Sequence, residues 1–244
     1  MKINLFILVT CLIFISLAHA QKTLVLATTH WCPYTCDFNG NKHGLVGEIL
    51  TTSLLAQGIS LKIEYYPWSR AIQLANLNKV DGLLTATKEE SPELIFSESP
   101  IGSYQMCFYT KHTNTWVYQS DLNLGTNKLA IVQDYGYGEP LDTYIDENKN
   151  GNLLKISGDD STNRLIKILK MNRADIIIED SKVVQWSMIK NNVDSTNIKK
   201  AGCLNEQPFY LALSQTENNR QLIKDLNASL EHVYARFKHV SEID

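Results

Sequence analysis

The sequence has little net charge of either sign. Its 244 residues include 23 Lys and Arg against 26 Asp and Glu. Lys2 is the only one of these charged residues among the first twenty, so residues 21–244 carry 22 basic and 26 acidic side chains, a net charge of −4. Nucleic acids and anionic membranes select strongly basic surfaces. The balance therefore argues against both as partners.

The sequence also lacks long apolar runs after its N-terminus. No later run reaches the roughly 18 residues that a membrane-spanning helix needs. At the N-terminus, Lys2 precedes an apolar run over 5–17 that is too short to span a bilayer. The Ala-His-Ala sequence at 18–20 then fits the small-x-small pattern of a signal peptidase site. We expect a signal peptide over 1–20, cleaved after Ala20, and export of a soluble mature protein.

Cysteine is scarce, and only four of the five cysteines lie after the predicted signal peptide. An even number in an exported protein favours disulfides. Cys32 and Cys36 are separated by three residues rather than the two of a thioredoxin motif, and no second Cys/His pair has zinc spacing. Of the three possible connectivities we favour Cys32–Cys36 together with Cys107–Cys203.

Strand-like and helix-like segments alternate in two successive units. The first unit has predicted strands over 23–28, 61–66 and 81–84 and helices over 46–57 and 70–78. The second has strands over 128–133, 153–156 and 174–178 and helices over 139–148, 162–171 and 180–190. Between and after the units lie a strand over 104–110, a strand over 209–214 and a C-terminal helix. Two βαβαβ units with two crossovers indicate an α/β protein with a cleft, where loops at the carboxyl ends of parallel strands bind ligands.

Eight short segments are spread over nearly the whole chain after residue 20. They are WCPY at 31–34, GLVGE at 44–48, YPWSRA at 66–71, KVDG at 79–82, FSESP at 96–100, VQDYGYG at 132–138, RADIIIED at 173–180 and PFYLALS at 208–214. In order and spacing they resemble the family 3 extracellular solute-binding proteins, periplasmic receptors of polar amino acid uptake systems. The similarity is greatest to the branch with a PW-x-RA segment. It implies an α/β, two-lobed, type II periplasmic-binding-protein clamshell with two hinge crossovers.

The resemblance also implies a division of the chain and a function. Residues 21–110 and 208–244 are expected to form lobe 1, and 111–207 to form lobe 2. The expected function is capture of a small polar, amine-bearing solute, an amino acid or a related compound, in the periplasm and without a cofactor. The expected partner is the membrane permease of an ABC-type transporter or a sensor, and we expect a monomer.

Two loops of the expected first lobe supply candidate ligand-binding residues. Trp31 and Tyr34 follow the first strand, where an aromatic ring can cover a ligand or stack on a cation. The alternative for Trp31 is to pack beneath the loop. Thr85 and Thr87 follow the third strand and can donate hydrogen bonds to a ligand, or they are solvated loop residues.

The expected second lobe supplies three more candidates. Tyr135 and Tyr137 belong to a glycine-containing turn whose amides face the ligand in the family, although a plain tight turn also explains the glycines. Asp180 matches the family's amine-binding aspartate, and a helix N-cap is its alternative role. Strand periodicity points Glu179 the other way.

One departure from the family concerns the ligand's carboxylate. The amino acid receptors have an arginine shortly after the third strand, whereas this sequence has no arginine between Arg70 and Arg164. Arg70 is our first choice as a replacement because its guanidinium can bind a carboxylate in a bidentate way. Lys88 is the second choice, and a ligand without that carboxylate is the third possibility.

An enzyme is the competing hypothesis, because the same fold family includes dehydratase-like periplasmic enzymes and sensor domains. Catalysis requires an acid–base pair in the cleft. Only His30 and His43 are expected near it, and no Ser-His-Asp order or metal cluster occurs. We therefore expect a protein without catalytic activity. A redox or structural role of the 32–36 loop is a third hypothesis.

Overall fold

The computed structural model describes residues 22–37, 43–120, 122–147 and 151–241. The predicted signal peptide, 1–20, lies outside the described residues. The strands are β1 Lys22–Thr28, β2 Ile59–Tyr65, β3 Gly82–Ala86, β4 Ile95–Phe96, β5 Gly102–Tyr104, β6 Met106–Lys111, β7 Leu129–Val132, β8 Leu153–Ile156, β9 Ile176–Asp180, β10 Ile198–Cys203 and β11 Gln207–Leu213. The helices are α1 Gly44–Leu55, α2 Trp68–Asn76, α3 Leu141–Glu147, α4 Ser161–Lys170, α5 Ser181–Lys190 and α6 Glu217–Ser241.

The first sheet has the order β2-β1-β3-β11-β4, with β5 paired to β11. β1 runs parallel to β2 and β3, whereas β11 is antiparallel to β3. The continuous apolar character of β1 fits a strand covered on both faces, and Leu24, Leu26 and Ala27 are buried. Helix α2 packs on β1 and β3, and α1 packs on β2 and on the C-terminal helix α6.

The second sheet has the order β10-β6-β9-β7-β8. β7 runs parallel to β8 and β9, and β6 is antiparallel to β9. Helices α4 and α5 pack against β9 and against each other. The two βαβαβ units predicted from the sequence therefore correspond to two separate sheets.

Helix α6 carries an apolar stripe along one face. Leu222, Leu226, Leu230, Val233 and Phe237 are all buried, because residues three and four apart share one face of a helix. This stripe packs the end of the chain onto the first sheet. Among the residues that the structure describes, no helix is long and apolar enough to cross a membrane.

Two crossovers connect the sheets side by side. The strand predicted over 104–110 is interrupted at Gln105, and β6 pairs in the second sheet, although the expected first lobe extended to residue 110. The return crossover is 204–206, between β10 and β11. Leu204 N donates to Met106 O at 2.8 Å, so the two connections are hydrogen-bonded to each other. These two adjacent connections form the hinge between the lobes.

Both favoured disulfides are present, and the predicted connectivity is confirmed. Cys32 is bonded to Cys36 within the loop after β1, with Cα atoms 5.1 Å apart. Cys107 is bonded to Cys203 with Cα atoms 3.9 Å apart, joining β6 to β10. The second bond lies next to the hinge and links β6, which follows the outgoing crossover, to β10, which precedes the return crossover.

Some helix boundaries differ from the sequence-based prediction. The second helix was predicted over 70–78, but α2 begins at Trp68 with Pro67 at its N-cap position. Proline fits there because its fixed φ is compatible with a helix start and its missing N–H needs no partner. The earlier start places Trp68 in the first turn of α2, beside the end of β3.

Candidate functional site

A cavity lies between the two lobes at the carboxyl ends of the parallel strands. Its volume is about 30 Å³. Its walls come from the loops after β1, β3 and β7, from the start of α2 and from the hinge. The lining residues are Thr29, Trp31, Trp68, Thr85, Thr87, Glu90, Tyr104, Met106, Tyr135 and Gly136. Both lobes therefore contribute to one site.

Glu90 supplies the only carboxylate among the described residues that line this cavity. Its Oε2 accepts a hydrogen bond from Thr87 N at 2.8 Å. Its Oε1 accepts from Gly136 N at 2.6 Å and from Trp68 Nε1 at 3.0 Å. Removal from water raises the pKa of Glu90 to about 7, although the hydrogen bonds to its charged form act in the opposite direction.

The local sequence explains how Glu90 is held. Thr87 and Glu90 bond reciprocally, since Glu90 N also donates to Thr87 Oγ1 at 3.4 Å. This is the arrangement of a capping box, whose T-x-x-E signature is present at 87–90. We did not predict Glu90 as a site residue, although that signature could have indicated that its side chain folds back toward the end of β3.

Glu179 connects the lobes at a second point. Its Oε1 accepts from Trp31 Nε1 in the first lobe at 3.0 Å, and its Oε2 accepts from Thr162 Oγ1 at 2.9 Å. Glu179 is completely buried, and this desolvation raises its pKa to about 7. Strand periodicity pointed Glu179 away from Asp180, yet both side chains reach the first lobe, Glu179 through Trp31 and Asp180 through Tyr34.

Aromatic hydroxyls add two further contacts between the lobes. Tyr104 OH donates to Gly136 O at 2.7 Å. The side chain of Tyr135, in the second lobe, is hydrogen-bonded to that of Thr29 in the first. Together with the Glu90 and Glu179 contacts, these bonds hold the lobes closed over the cavity.

Four of the predicted ligand-binding residues line the cavity. They are Trp31, Thr85, Thr87 and Tyr135. Trp31 is only 6% exposed, and its ring packs against Tyr104 while its N–H is bonded to Glu179. The structure thus places Trp31 both beneath the loop and at the cavity wall.

The other predicted residues lie outside the cavity lining. Tyr34 is buried, stacks on Phe237 and is hydrogen-bonded to Asp180. Tyr137 is buried, and its hydroxyl donates to Val132 O and accepts from Val132 N. Their expected contacts with a ligand stay predictions.

Asp180 occupies the N-cap position of α5. Its Oδ1 accepts from Lys182 N at 2.9 Å and from Val183 N at 3.0 Å. Its Oδ2 accepts from Gln105 N at 2.8 Å, which fixes the hinge to the start of the helix. Burial raises the pKa of Asp180, and these hydrogen bonds lower it. The capping alternative is thus realised, and the ligand-binding role stays a prediction.

The two candidate cations for a ligand carboxylate also lie outside the cavity lining. Arg70 is exposed on α2 and donates to Gln73 Oε1. The Lys88 ammonium lies 4.9 Å from the ring centre of Tyr210. No lysine, arginine or histidine is found among the described residues that line the cavity.

Comparison with known proteins gives a likeness in structure. No family model matches the chain. No curated protein matches it in sequence. A histidine kinase sensor domain with similarity to periplasmic binding proteins superposes with a TM-score of 0.73 at 15% identity, covering 87% of this chain and 90% of that chain. An ancestral arginine-binding protein bound to glutamine gives a TM-score of 0.71 at 18% identity, covering 92% and 98%. An arginine 3rd transport system periplasmic binding protein from Legionella pneumophila gives a TM-score of 0.71 at 16% identity, covering 91% of this chain and 99% of that chain.

These similarities establish the class of fold. The chain is an α/β protein with the two-lobed, type II periplasmic-binding-protein architecture and two hinge crossovers. The prediction of fold class is confirmed.

Proposed function

We propose that this chain is an exported solute-binding protein of the family 3 type that encloses a small polar, amine-bearing ligand between its lobes. One observation carries the proposal. The Glu90 carboxylate and the rings of Trp31, Trp68 and Tyr135 converge on a cavity to which both lobes contribute. A carboxylate attracts an ammonium group, and aromatic faces attract cations through their quadrupoles.

The contacts between the lobes support a clamshell that opens and closes. Several of the bridging groups, among them Gly136 N, Trp31 Nε1 and Tyr104 OH, form hydrogen bonds that water can replace when the lobes separate. The hinge is a pair of short connections beside the Cys107–Cys203 disulfide. A ligand that touches both lobes would favour the closed form by its differential affinity.

The compartment and the partner are part of the same proposal. The predicted signal peptide and the two disulfides fit the periplasm. We propose a monomer that delivers its ligand to the permease of an ABC-type transporter or to a sensor. The arginine-binding proteins and the kinase sensor domain share the fold, and the two kinds of partner follow from those precedents.

A dehydratase-like enzyme is less well supported by the geometry. Acid–base catalysis at one substrate needs two groups that reach it. Glu90 and Glu179 both have a pKa raised to about 7, but Glu179 is completely buried and does not line the cavity. His30 is exposed and stacks on Tyr65, and it also lies outside the lining.

Thermal unfolding tests the binding function. The mature protein is screened against amino acids, amines and polyamines, short peptides and organic acids. A ligand at 100 times its Kd adds about 2.7 kcal/mol of stability, which raises the melting temperature. Trp31 and Trp68 line the cavity, so intrinsic fluorescence should change with the same ligand. If no class shifts the melting temperature or the fluorescence, the binding function is wrong.

A further inference from the structure

We infer that the ligand is a small ammonium compound without a carboxylate, and that Glu90 occupies the place in the cleft that the carboxylate of an amino acid would need. This inference rests on the proposed binding function and specifies the class of ligand.

The donors at the cavity wall are already used. Three N–H groups converge there, from Thr87, Gly136 and Trp68, and all three donate to the carboxylate of Glu90. Two are backbone amides from opposite lobes, so they would otherwise form a suitable site for a bound anion. With Glu90 in place, a ligand carboxylate finds no free donor among them.

The charge at the site also disfavours a second anion. A ligand carboxylate would lie close to that of Glu90, and no cationic side chain is present among the described lining residues to offset the repulsion. Two like charges in contact repel each other more strongly in a partly buried site than in water. The same Coulomb interaction attracts an ammonium group to Glu90.

The remaining surface of the cavity suits a cation. Trp31, Trp68, Tyr104 and Tyr135 place aromatic rings around the space beside Glu90. Aromatic rings bind primary and quaternary ammonium groups, and tryptophan is the strongest of them. The cavity volume of about 30 Å³ is far below that of ordinary ligand pockets, so the closed form has room only for a very small group and a larger amine requires the lobes to separate further.

Matched pairs of compounds test the inference on the unmodified protein. Each pair consists of an amino acid and the amine obtained by removing its carboxylate: lysine and cadaverine, arginine and agmatine, histidine and histamine, serine and ethanolamine. Glycine betaine and choline extend the series to quaternary ammonium. Calorimetric titration at pH 7.5 should give at least one amine or choline a Kd at least tenfold below that of its carboxylate partner.

The outcomes separate this inference from the proposed function. If the carboxylate members bind as tightly as the amines or more tightly, the inference is overturned while the binding function stands. If no compound of any class binds, the proposed function itself fails.

A charge-removing variant tests the role of Glu90. Glu90→Gln keeps an acceptor for Gly136 N and Trp68 Nε1 but loses the negative charge, so we expect at least a tenfold weaker affinity for the amine. Glu93→Gln removes the charge of a nearby exposed glutamate that does not line the cavity, and its affinity should equal that of the unmodified protein. Unchanged amine affinity in Glu90→Gln contradicts the inference. The paired titrations decide the question if Glu90→Gln does not fold.

Discussion

The carboxylate of Glu90 in the first lobe accepts a hydrogen bond from the backbone N–H of Gly136 in the second lobe, with Oε1 and N 2.6 Å apart. This contact lies at the cavity wall and joins the lobes directly. The Glu90 carboxylate therefore has two roles: it holds the lobes together, and its negative charge attracts a cation. Four consequences can be measured.

The first concerns the close approach at Gly136. A Cβ atom at this position would lie 2.7 Å from Thr87 Oγ1 and 2.9 Å from Glu90 Cγ. We therefore expect Gly136→Ala to push the lobes apart, with about 1–3 kcal/mol of overpacking in the closed form. Small-angle X-ray scattering should give a larger radius of gyration, and affinity for the amine should fall at least tenfold.

Gly58→Ala is the control for replacing a glycine. Its Cβ would meet nothing within 4 Å, so its cost is confined to the backbone at φ +75°. The radius of gyration and the affinity should not change. Equal behaviour of the two variants would show that the contact at Gly136 is unimportant for closure.

The second prediction is a pH dependence that originates at Glu179. Its pKa is about 7 in the folded protein and about 4.5 when unfolded. Between these values the folded protein holds a proton that the unfolded chain has lost. The contribution to stability is therefore full below about pH 4.5 and is lost as the pH rises through 7. Asp180 lies beside this carboxyl group and disfavours its ionisation further.

Urea unfolding at several pH values between 5 and 8 measures this effect. Each unit of pKa difference between the folded and unfolded states corresponds to about 1.4 kcal/mol, so ionised Glu179 destabilises the folded state by on the order of 3 kcal/mol. Glu179→Gln removes the titrating group, so its stability should fall less steeply over this range. Glu90 contributes in the same direction and leaves part of the slope. An identical slope in the variant would contradict the assignment.

The third prediction ranks the disulfides. Cys107 and Cys203 are 96 residues apart in the sequence, whereas Cys32 and Cys36 are 4 apart. In the chain-entropy account, a crosslink that closes a longer loop restricts the unfolded chain more. It therefore stabilises the folded state by about 4–5 kcal/mol for Cys107–Cys203, against about 2 kcal/mol for Cys32–Cys36. Replacing both cysteines of each pair by serine should therefore destabilise the protein more for Cys107–Cys203. The reverse order in denaturant unfolding would refute this ranking.

The fourth prediction separates the two roles considered for Asp180. Asp180→Asn can still cap α5, but its amide cannot satisfy the remaining donors from Gln105 N and Tyr34 OH. We expect a loss of about 1–3 kcal/mol in unfolding free energy and an amine affinity within about threefold of the original. Calorimetric titration and denaturant unfolding measure both quantities.

Asp160→Asn is the matched control. Asp160 is the N-cap residue of α4, but its side chain makes no capping hydrogen bond. It accepts one bond from Asn163 Nδ2, which an asparagine oxygen can keep, so the change should be nearly neutral. An affinity loss of tenfold or more in Asp180→Asn, with stability unchanged, would instead support the ligand-binding role that the sequence suggested.

The fold could be predicted largely from local pattern. The strands of both βαβαβ units appear in the sequence as short apolar runs, and helices follow them with recognisable starts. β10 was not predicted, because IKKAGC at 198–203 mixes polar and small residues. It forms as an edge strand through its pairing with β6 and its disulfide to Cys107.

The site was only partly predictable. Trp31 and Tyr135 reach the cavity because loops after parallel strands converge there, whereas Thr85, expected after the third strand, reaches it from within β3, which extends to Ala86. Glu90 was missed because TKEESPE at 87–93 has the composition of a solvated loop. Glu90 lines the cavity because Gly136 of the other lobe packs against it. A contact between residues so far apart in the sequence cannot be predicted from the local sequence.

The most direct test is a crystal structure of the protein with the amine that binds most tightly. The account predicts the ligand between the two lobes, with its ammonium group beside the Glu90 carboxylate and against the rings of Trp31 and Trp68, while Glu90 remains bonded to Gly136 N. A ligand bound elsewhere on the protein, or an amino acid whose carboxylate has displaced Glu90 from Thr87 N and Gly136 N, would contradict it.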